Sequence, residues 1–142
     1  MQLDDLYRRV IMDHYKNPRN RGTLDNDALT INLNNPTCGD RISLQLEVED
    51  EIVKQAKFTG EGCSISMSSA SMMTEAVIGK TVDEAVAMAD KFSSLVKGGD
   101  VEFEELEDIE ALSGVSKFPA RIKCATLSWN ALRKGIEHHK QQ

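Results

Sequence analysis

The chain has 142 residues, of which 40% are hydrophobic and 28% charged, a composition typical of a folded globular domain. Seventeen basic and 23 acidic side chains give a formal net charge of −6, which argues against nucleic acid as a partner because phosphate is also anionic. No signal-peptide pattern opens the chain, and no apolar run reaches the roughly 18 residues of a membrane span. We therefore expect a single domain over residues 1–142 in the cytoplasm, with neither a membrane nor a nucleic acid as partner.

The first part of the chain predicts one helix followed by three strands. Apolar residues at helical spacing over residues 3–14 indicate an amphipathic helix that ends before Pro18. Apolar and polar residues then alternate over residues 29–33 and 42–48, and a third strand is predicted over 52–59. The short connections between these runs favour an antiparallel meander.

From Ser64 onward the apolar spacing becomes helical. The first predicted helix runs from Ser64 to Ile78 with Gly79 as its C-cap, and the second starts at a capping box formed by Thr81 and Glu84. A short acidic helix around Ile109 is predicted to end at Gly114, and a long last helix to start at Pro119. Strands followed by helices predict an α+β fold, in which helices pack on one face of a small three-stranded antiparallel sheet.

Three cysteines, Cys38, Cys63 and Cys124, each lie at a predicted transition between elements. No Cys-x-x-Cys pair occurs, so the spacing typical of zinc fingers is absent. Spacing alone leaves two interpretations open, namely three unrelated buried thiols or the ligands of one metal site. The odd number of cysteines and the reducing cytoplasm argue against a disulfide framework.

The neighbours of the cysteines favour the metal site. Cys38 is followed by Gly39 and Asp40 in the predicted loop between the first two strands, and Gly62 precedes the second cysteine. Glycine lets the backbone bend tightly and approach a ligand. Three thiolates and one carboxylate form a four-ligand set suited to tetrahedral zinc, and soft thiolates also suit iron–sulfur clusters.

Positive charge near the cysteines would favour their thiolate forms. The helix that starts at Ser64 directs its N-terminal N–H groups toward Cys63, and the helix dipole stabilises an anion there. Arg121 and Lys123 lie next to Cys124 and would act in the same direction as site or partner contacts. Both could equally be ordinary solvated surface charges.

Three motifs occur in order along nearly the whole chain: Cys38-Gly-Asp, Gly60-Glu-Gly-Cys63 before a Ser- and Ala-rich helix, and Arg121-Ile-Lys-Cys124-Ala-Thr-Leu. Together they resemble the IscU/SufU family of iron–sulfur cluster assembly proteins, which is related to the N-terminal domain of NifU. The resemblance implies an IscU/NifU-like form of the predicted α+β fold.

Two departures from scaffold-type members are similar to the SufU branch of this family. Lys123 stands where scaffolds carry a His, and the stretch between Cys63 and Cys124 is longer, with an acidic insertion near Asp100. Members of that branch bind Zn²⁺ and take persulfide sulfur from a SufS-like cysteine desulfurase. The metal ligands implied by the resemblance are Cys38, Asp40, Cys63 and Cys124.

The resemblance implies a zinc-dependent sulfur acceptor that serves downstream iron–sulfur assembly proteins, with Cys38 accepting the sulfur and Asp40 orienting the site. Such transfer would count as a sulfurtransferase activity, but whether the chain is an enzyme stays open. One alternative is a scaffold that holds a transient [2Fe–2S] cluster and delivers it to apo-proteins. Another is a zinc-stabilised adaptor without sulfur chemistry. The Lys in place of His favours the sulfur acceptor, because imidazole is a metal ligand and ammonium is not.

Overall fold

The secondary structure follows the predicted order of one helix, three strands and further helices. The computed structural model describes residues 3–24, 28–35, 39–99 and 107–140. The elements are α1 (Leu3–Lys16), β1 (Leu29–Asn35), β2 (Asp40–Glu49), β3 (Ile52–Glu61), α2 (Ser64–Val77), α3 (Val82–Val96), a 3-10 helix (Glu107–Lys117) and α4 (Pro119–Lys140). The predicted end of the acidic helix at Gly114 is wrong, because Gly114 does not take the left-handed conformation that would end it and the 3-10 helix continues to Lys117.

The three strands form an antiparallel sheet in the order β1-β2-β3, as predicted. Asn35 at the end of β1 lies opposite Asp40 at the start of β2, and Arg41 lies opposite Glu61 at the end of β3. The even-numbered positions of β2 from 40 to 46 are buried, whereas Arg41 and residue 47 face outward and are exposed. The sheet therefore has one buried face, as the alternation predicts.

A two-residue turn joins β2 to β3. Its residues, Asp50 and Glu51, have φ angles of 55° and 61°, and Glu49 pairs directly with Ile52. Left-handed conformations at both central positions suit the right-handed twist of a hairpin, and glycine and asparagine usually occupy them. The tight hairpin sets the first two pairs, and a bulge between Glu47 and Val48 then shifts the register by one residue along the rest of the ladder.

The outer edge of β3 is covered by the segment that follows α1. Phe58 donates its N–H to the carbonyl of Asn20 at 3.1 Å, and Gly22 donates to the carbonyl of Phe58 at 2.9 Å. Covering an edge strand satisfies its backbone groups and blocks pairing with another chain.

Helices α2 and α4 pack on the buried face of the sheet, α1 packs on α2, and α3 packs on α4. Close packing at the sheet is visible at Gly135, where a Cβ atom would lie 2.9 Å from Cδ1 of Leu46. Phe92 of α3 stacks on Trp129 of α4 with ring centroids 4.7 Å apart. The largest fully buried side chains are Trp129, Phe58, Phe92, Leu44, Leu46, Met72, Met73, Ile109, Leu112, Leu132 and Ile136.

The ends of α2 and α3 carry the predicted caps. Gly79, one residue beyond the C-cap of α2, has a φ of +89°. The hydroxyl of Thr81 accepts from the N–H of Glu84 at 3.1 Å, and the Glu84 carboxylate accepts from the N–H of Thr81 at 3.1 Å. The hydrogen bond from the main-chain N–H of Thr81 to the Glu84 carboxylate, followed by a contribution from the Thr81 side chain, holds the pKa of Glu84 below its ordinary value.

A buried polar contact joins α1 to α2. His14 is fully buried, and its Nδ1 lies 2.8 Å from Oγ of Ser71. The same Oγ accepts the main-chain N–H of Arg19 at 2.9 Å, which leaves the serine hydrogen available to the imidazole. None of the helices in the described part of the chain is long and apolar enough to span a bilayer.

Candidate metal centre

Three ligand atoms converge at one end of the sheet. A carboxylate oxygen of Asp40 and the Sγ atoms of Cys63 and Cys124 all lie within 4.8 Å of one another. They come from the first residue of β2, the N-cap of α2 and the second turn of α4. Side chains separated widely in sequence thus meet because the sheet and the two helices that cover it end at the same place.

Asp40 is buried at the start of β2, and not in the inter-strand loop as the sequence predicted. Its pairing with Asn35 extends the ladder to this position and carries the carboxylate into the interior. Oδ1 accepts the main-chain N–H of Cys63 at 3.0 Å. Oδ2 is buried and has no hydrogen-bond partner among the described residues, an arrangement that is costly unless a cation or another donor occupies the site.

Two glycines before Cys63 allow this close approach. A Cβ atom on Gly62 would lie 2.5 Å from Oδ1 of Asp40, and one on Gly60 would lie 2.2 Å from the carbonyl oxygen of Arg41. Both distances are far shorter than any tolerated contact, so larger residues would displace the carboxylate or the strand. Glycine at position 62 therefore allows the chain to pass directly beside the Asp40 carboxylate, whereas the approach of the backbone to a bound ligand stays a prediction.

Cys63 is the N-cap of α2, with extended φ and ψ angles of −72° and 169°. Its side chain makes no capping hydrogen bond, so the sulfur is not committed to the helix. Its carbonyl accepts the N–H of Met67 at 3.0 Å and starts the helix, while its own N–H is used by Asp40. The half-buried thiol therefore lies beside the N-terminus of α2, the positive end of the helix dipole.

Cys124 is buried on the inner side of α4. Its Sγ lies 3.9 Å from the carbonyl of Ala120 and 4.0 Å from Nδ2 of Asn35. One residue further along α4, the carbonyl of Ala125 accepts the hydroxyl of Ser69 from α2 at 2.5 Å. This bond joins the helices that carry the two described cysteines and fixes the distance between them.

Of the two predicted cationic contacts, Arg121 and Lys123, Arg121 is the one for which the structure gives an interaction with the cysteines. The Cys63 thiolate, by charge attraction and then by a hydrogen bond, raises the pKa of Arg121 above its ordinary value, and Cys124 adds to the effect. Arg121 is exposed, so its guanidinium faces both thiols from the solvent side. Lys123 is exposed on the same turn of α4, and its contribution stays a prediction.

Cys38 lies outside the described residues, so its roles as fourth ligand and sulfur acceptor stay predictions. Residues on both sides of it are described. Gly39 has a φ of +72° and donates its N–H to the carbonyl of Asn35 at 2.8 Å. Asn35 and Gly39, the described residues on either side of positions 36–38, therefore both lie beside Asp40.

The donor set fits a soft or borderline metal. Ligand atoms around one tetrahedral zinc ion lie roughly 3.5–4 Å apart, so atoms grouped within 4.8 Å need only small shifts to share an ion. Two sulfurs and a carboxylate match zinc or an iron–sulfur cluster and do not match magnesium. Oδ2 of Asp40, which has no hydrogen-bond partner among the described residues, leaves an acceptor that a cation could use.

Two residues at the site were not predicted from the sequence. Asn35 precedes Pro36, and an Asn-Pro pair indicates only a turn. Ser69 is one of several serines on α2, and no spacing rule distinguishes the serine that reaches α4. The register of β1 against β2 is the signal that would have brought Asn35 to Asp40.

The fold and the site define a small α+β domain in which a carboxylate and two cysteines that could hold a metal ion lie at the end of a three-stranded sheet. The sequence profile of the NifU-like N-terminal domain matches residues 6–142. The chain therefore belongs to the NifU-like N-terminal domain family.

Two similar proteins are named for different functions, one as a sulfurtransferase and the other as a scaffold. A Bacillus subtilis protein named zinc-dependent sulfurtransferase SufU is 62% identical over 135 residues, which covers 94% of this chain and 91% of that protein. The iron–sulfur cluster assembly scaffold protein IscU of Streptococcus pyogenes is 49% identical over 137 residues, covering 96% and 86%.

A solved structure confirms the fold. The crystal structure of a protein described as an iron–sulfur cluster assembly scaffold for the SUF system, from Fervidobacterium islandicum, has a TM-score of 0.86 and 30% identity. The similarity covers 95% of this chain and 99% of that one. The predicted IscU/NifU-like α+β fold is thus confirmed.

Proposed function

We propose that this chain is a zinc-dependent acceptor of persulfide sulfur in iron–sulfur cluster assembly, working with a cysteine desulfurase. The observation that carries the proposal is the buried Asp40 carboxylate grouped with the thiols of Cys63 and Cys124 within 4.8 Å. The 62% identity to a protein named zinc-dependent sulfurtransferase supports zinc and sulfur transfer over the other readings. We propose one domain over the whole chain, acting in the cytoplasm, where thiols are kept reduced.

Cys38 completes the proposed ligand set of Asp40, Cys63 and Cys124. It precedes Asp40 by two residues, and chain connectivity alone keeps two such Cα atoms within about 7 Å. Three thiolates and one carboxylate give the four ligands that a zinc site needs. A bound zinc ion would keep the cysteine side chains deprotonated at neutral pH.

The transfer step is a thiol exchange that carries one extra sulfur. A thiolate of this chain attacks the terminal sulfur of the desulfurase persulfide and forms a new S–S bond. The S–S bond of the desulfurase breaks, and its cysteine leaves as a thiolate. The acceptor thiolate is oxidised to a persulfide while the desulfurase persulfide is reduced to a thiolate, so the exchange needs no external oxidant or reductant. The proton on the terminal sulfur travels with it, and the product is a persulfide on this chain.

Cys38 is the proposed acceptor because the other two cysteines are anchored. Cys63 starts α2 and its N–H is bound to Asp40, while Cys124 is buried within α4. Moving the buried sulfur of Cys124 would disturb α4, and the main chain of Cys63 is held by its hydrogen bonds to Asp40 and Met67. Arg121, which faces the thiols from the solvent, would stabilise negative charge on Cys63 while the acceptor reacts.

The surface beside the site offers apolar area to a partner. Phe118, the residue before α4 begins, is 63% exposed. Ile65 on the first turn of α2 is half-buried. A desulfurase that docks over Arg121 and these two side chains would bring its own persulfide to the metal centre and cover exposed apolar surface.

The proposal is tested by following sulfur from labelled cysteine in the presence of a cysteine desulfurase. The parent chain is expected to gain the mass of one sulfur atom, reversibly with reductant, while Cys38→Ser gains none and keeps the parent circular dichroism spectrum. Persulfide on Cys38→Ser would overturn the acceptor assignment. Zinc binding without any effect of this chain on desulfurase turnover would overturn sulfur transfer in favour of the adaptor.

The second candidate is a scaffold for an iron–sulfur cluster, favoured by the 49% identity to a protein named as such. Metal and acid-labile sulfide measured in protein purified without added metal separate the two functions. One zinc ion per chain without colour, and weaker retention in Asp40→Ala, supports the sulfur acceptor. Iron with matching sulfide, stabilised in Asp40→Ala, supports the scaffold.

A further inference from the structure

The side chain of Asn35 connects the end of the sheet to a thiol on α4. Asn35 is the last residue of β1, the Cα partner of Asp40, and only 7% exposed. Its amide nitrogen Nδ2 lies 4.0 Å from Sγ of Cys124. Its neighbour Asn34 is exposed on the opposite side of the strand, so the burial of Asn35 belongs to the site.

The hydrogen bond from a buried amide to a sulfur is stronger when the sulfur is a thiolate than when it is a neutral thiol. The amide N–H is a donor, and hydrogen bonds to a charged acceptor are shorter and stronger than those to a neutral one. Donors to a metal-bound sulfur orient it and withdraw charge from it, which tunes the metal site from outside its ligand shell. The amide at 4.0 Å is therefore placed to donate to the sulfur of Cys124 when that sulfur holds a metal ion.

We propose that Asn35 is a positioning residue that donates an N–H···S hydrogen bond to the Cys124 thiolate and makes Cys124 the permanent ligand. With charge withdrawn from its sulfur, Cys124 is the weaker nucleophile, and sulfur transfer is left to another cysteine. This role rests on the proposed metal centre. It also explains why an asparagine occupies this position, since an aspartate would place a second negative charge against the thiolate.

The first test compares Asn35→Ala with the matched control Asn34→Ala in the cobalt-substituted chain. Loss of the donor leaves more charge on sulfur, so the thiolate-to-cobalt charge-transfer band of Asn35→Ala moves to lower energy. Zinc transfer from that variant to a chelator is about tenfold or more faster, the usual effect of removing a partner of a metal ligand. Asn34→Ala keeps the parent band and rate.

The second test needs no variant and so survives a failure of Asn35→Ala to fold. In the parent chain loaded with a spin-half cadmium isotope, the side-chain amide proton of Asn35 shows a scalar coupling to cadmium through the hydrogen bond to sulfur. Absence of that coupling, where the Cβ protons of Cys124 do couple to cadmium, overturns the role of Asn35 alone. Failure to bind cobalt or cadmium at all overturns the metal centre together with this role.

Discussion

The main-chain N–H of Cys63 donates to Oδ1 of Asp40 at 3.0 Å and ties the first residue of β2 to the residue that starts α2. The bond joins positions 23 residues apart. It fixes the carboxylate before any ligand arrives, and a preorganised ligand lowers the entropy lost on binding.

Gly62→Ala is expected to weaken metal retention and to destabilise the fold. The added methyl would lie 2.5 Å from Oδ1 of Asp40, so the carboxylate or the β3–α2 junction must shift. Overpacking of this kind costs roughly 1–3 kcal/mol in the free energy of unfolding. Urea denaturation and zinc transfer to a chelator measure the two effects. Gly114→Ala, whose methyl would meet nothing within 4 Å, is the control. Equal behaviour of both variants would contradict the close-approach role.

Asp40→Asn is expected to act in opposite directions on the metal-free and metal-loaded forms. Without metal the buried carboxylate has an unpaired oxygen, so its neutral counterpart raises the stability by about 1–3 kcal/mol. With metal the variant lacks a charged ligand and melts at a lower temperature than the parent. Thermal unfolding before and after chelation gives both values. Asp90→Asn, at an exposed pair with Arg133, should leave both melting temperatures unchanged. A parallel shift in the two forms would argue against a ligand role.

Arg121→Gln is expected to slow alkylation of Cys63 in the metal-free chain. Charge attraction to Cys63 is the largest cause of the raised pKa of Arg121, so the substitution removes a positive charge that faces the reacting sulfur. The iodoacetamide rate at neutral pH and low salt should fall a few-fold, and high salt should reduce the difference, because Arg121 is exposed. Lys123→Gln removes one exposed charge from the same turn and serves as the control. An equal loss of alkylation rate in both variants would show that only the net charge near Cys63 matters, and it would contradict a specific role of Arg121.

Glu51→Gly is expected to stabilise the chain. Glu51 has a φ of 61°, a conformation that costs a residue with a side chain about 1 kcal/mol and costs glycine little. The substitution removes an exposed contact with His139 at 3.3 Å, which is worth little at the surface. The urea midpoint should rise by the equivalent of roughly 0.5–1 kcal/mol. Glu49→Gly, at the last residue of β2, should instead destabilise the hairpin.

Most of the fold could be predicted because its local signals agree with its packing. The alternation in β1 and β2, the capping box at Thr81 and the glycine after α2 each determine structure within a few residues. The acidic 3-10 helix was the exception. Gly114 is a strong stop signal in sequence, but its conformation is set by the packing of buried neighbours such as Leu112, which no local pattern reveals.

The candidate site could be predicted as a set of residues but not as an arrangement. Cysteine chemistry and the motif resemblance identified Asp40, Cys63 and Cys124. The burial of Asp40 and the approach of Asn35 to Cys124 depend on strand register and on where α4 crosses the sheet. These are long-range relationships, so they follow from the assembled core and not from neighbouring residues.

The amide of Cys63 also limits which ions the centre can select. Because Oδ1 already accepts that amide hydrogen, Oδ2 is the oxygen of Asp40 that is left without a partner among the described residues, and binding through one oxygen is favoured. Calcium needs about six to eight oxygens and often takes two from a single carboxylate, and magnesium needs about six in an octahedron. A backbone hydrogen bond therefore disfavours the abundant hard cations of the cell and favours ions that prefer sulfur.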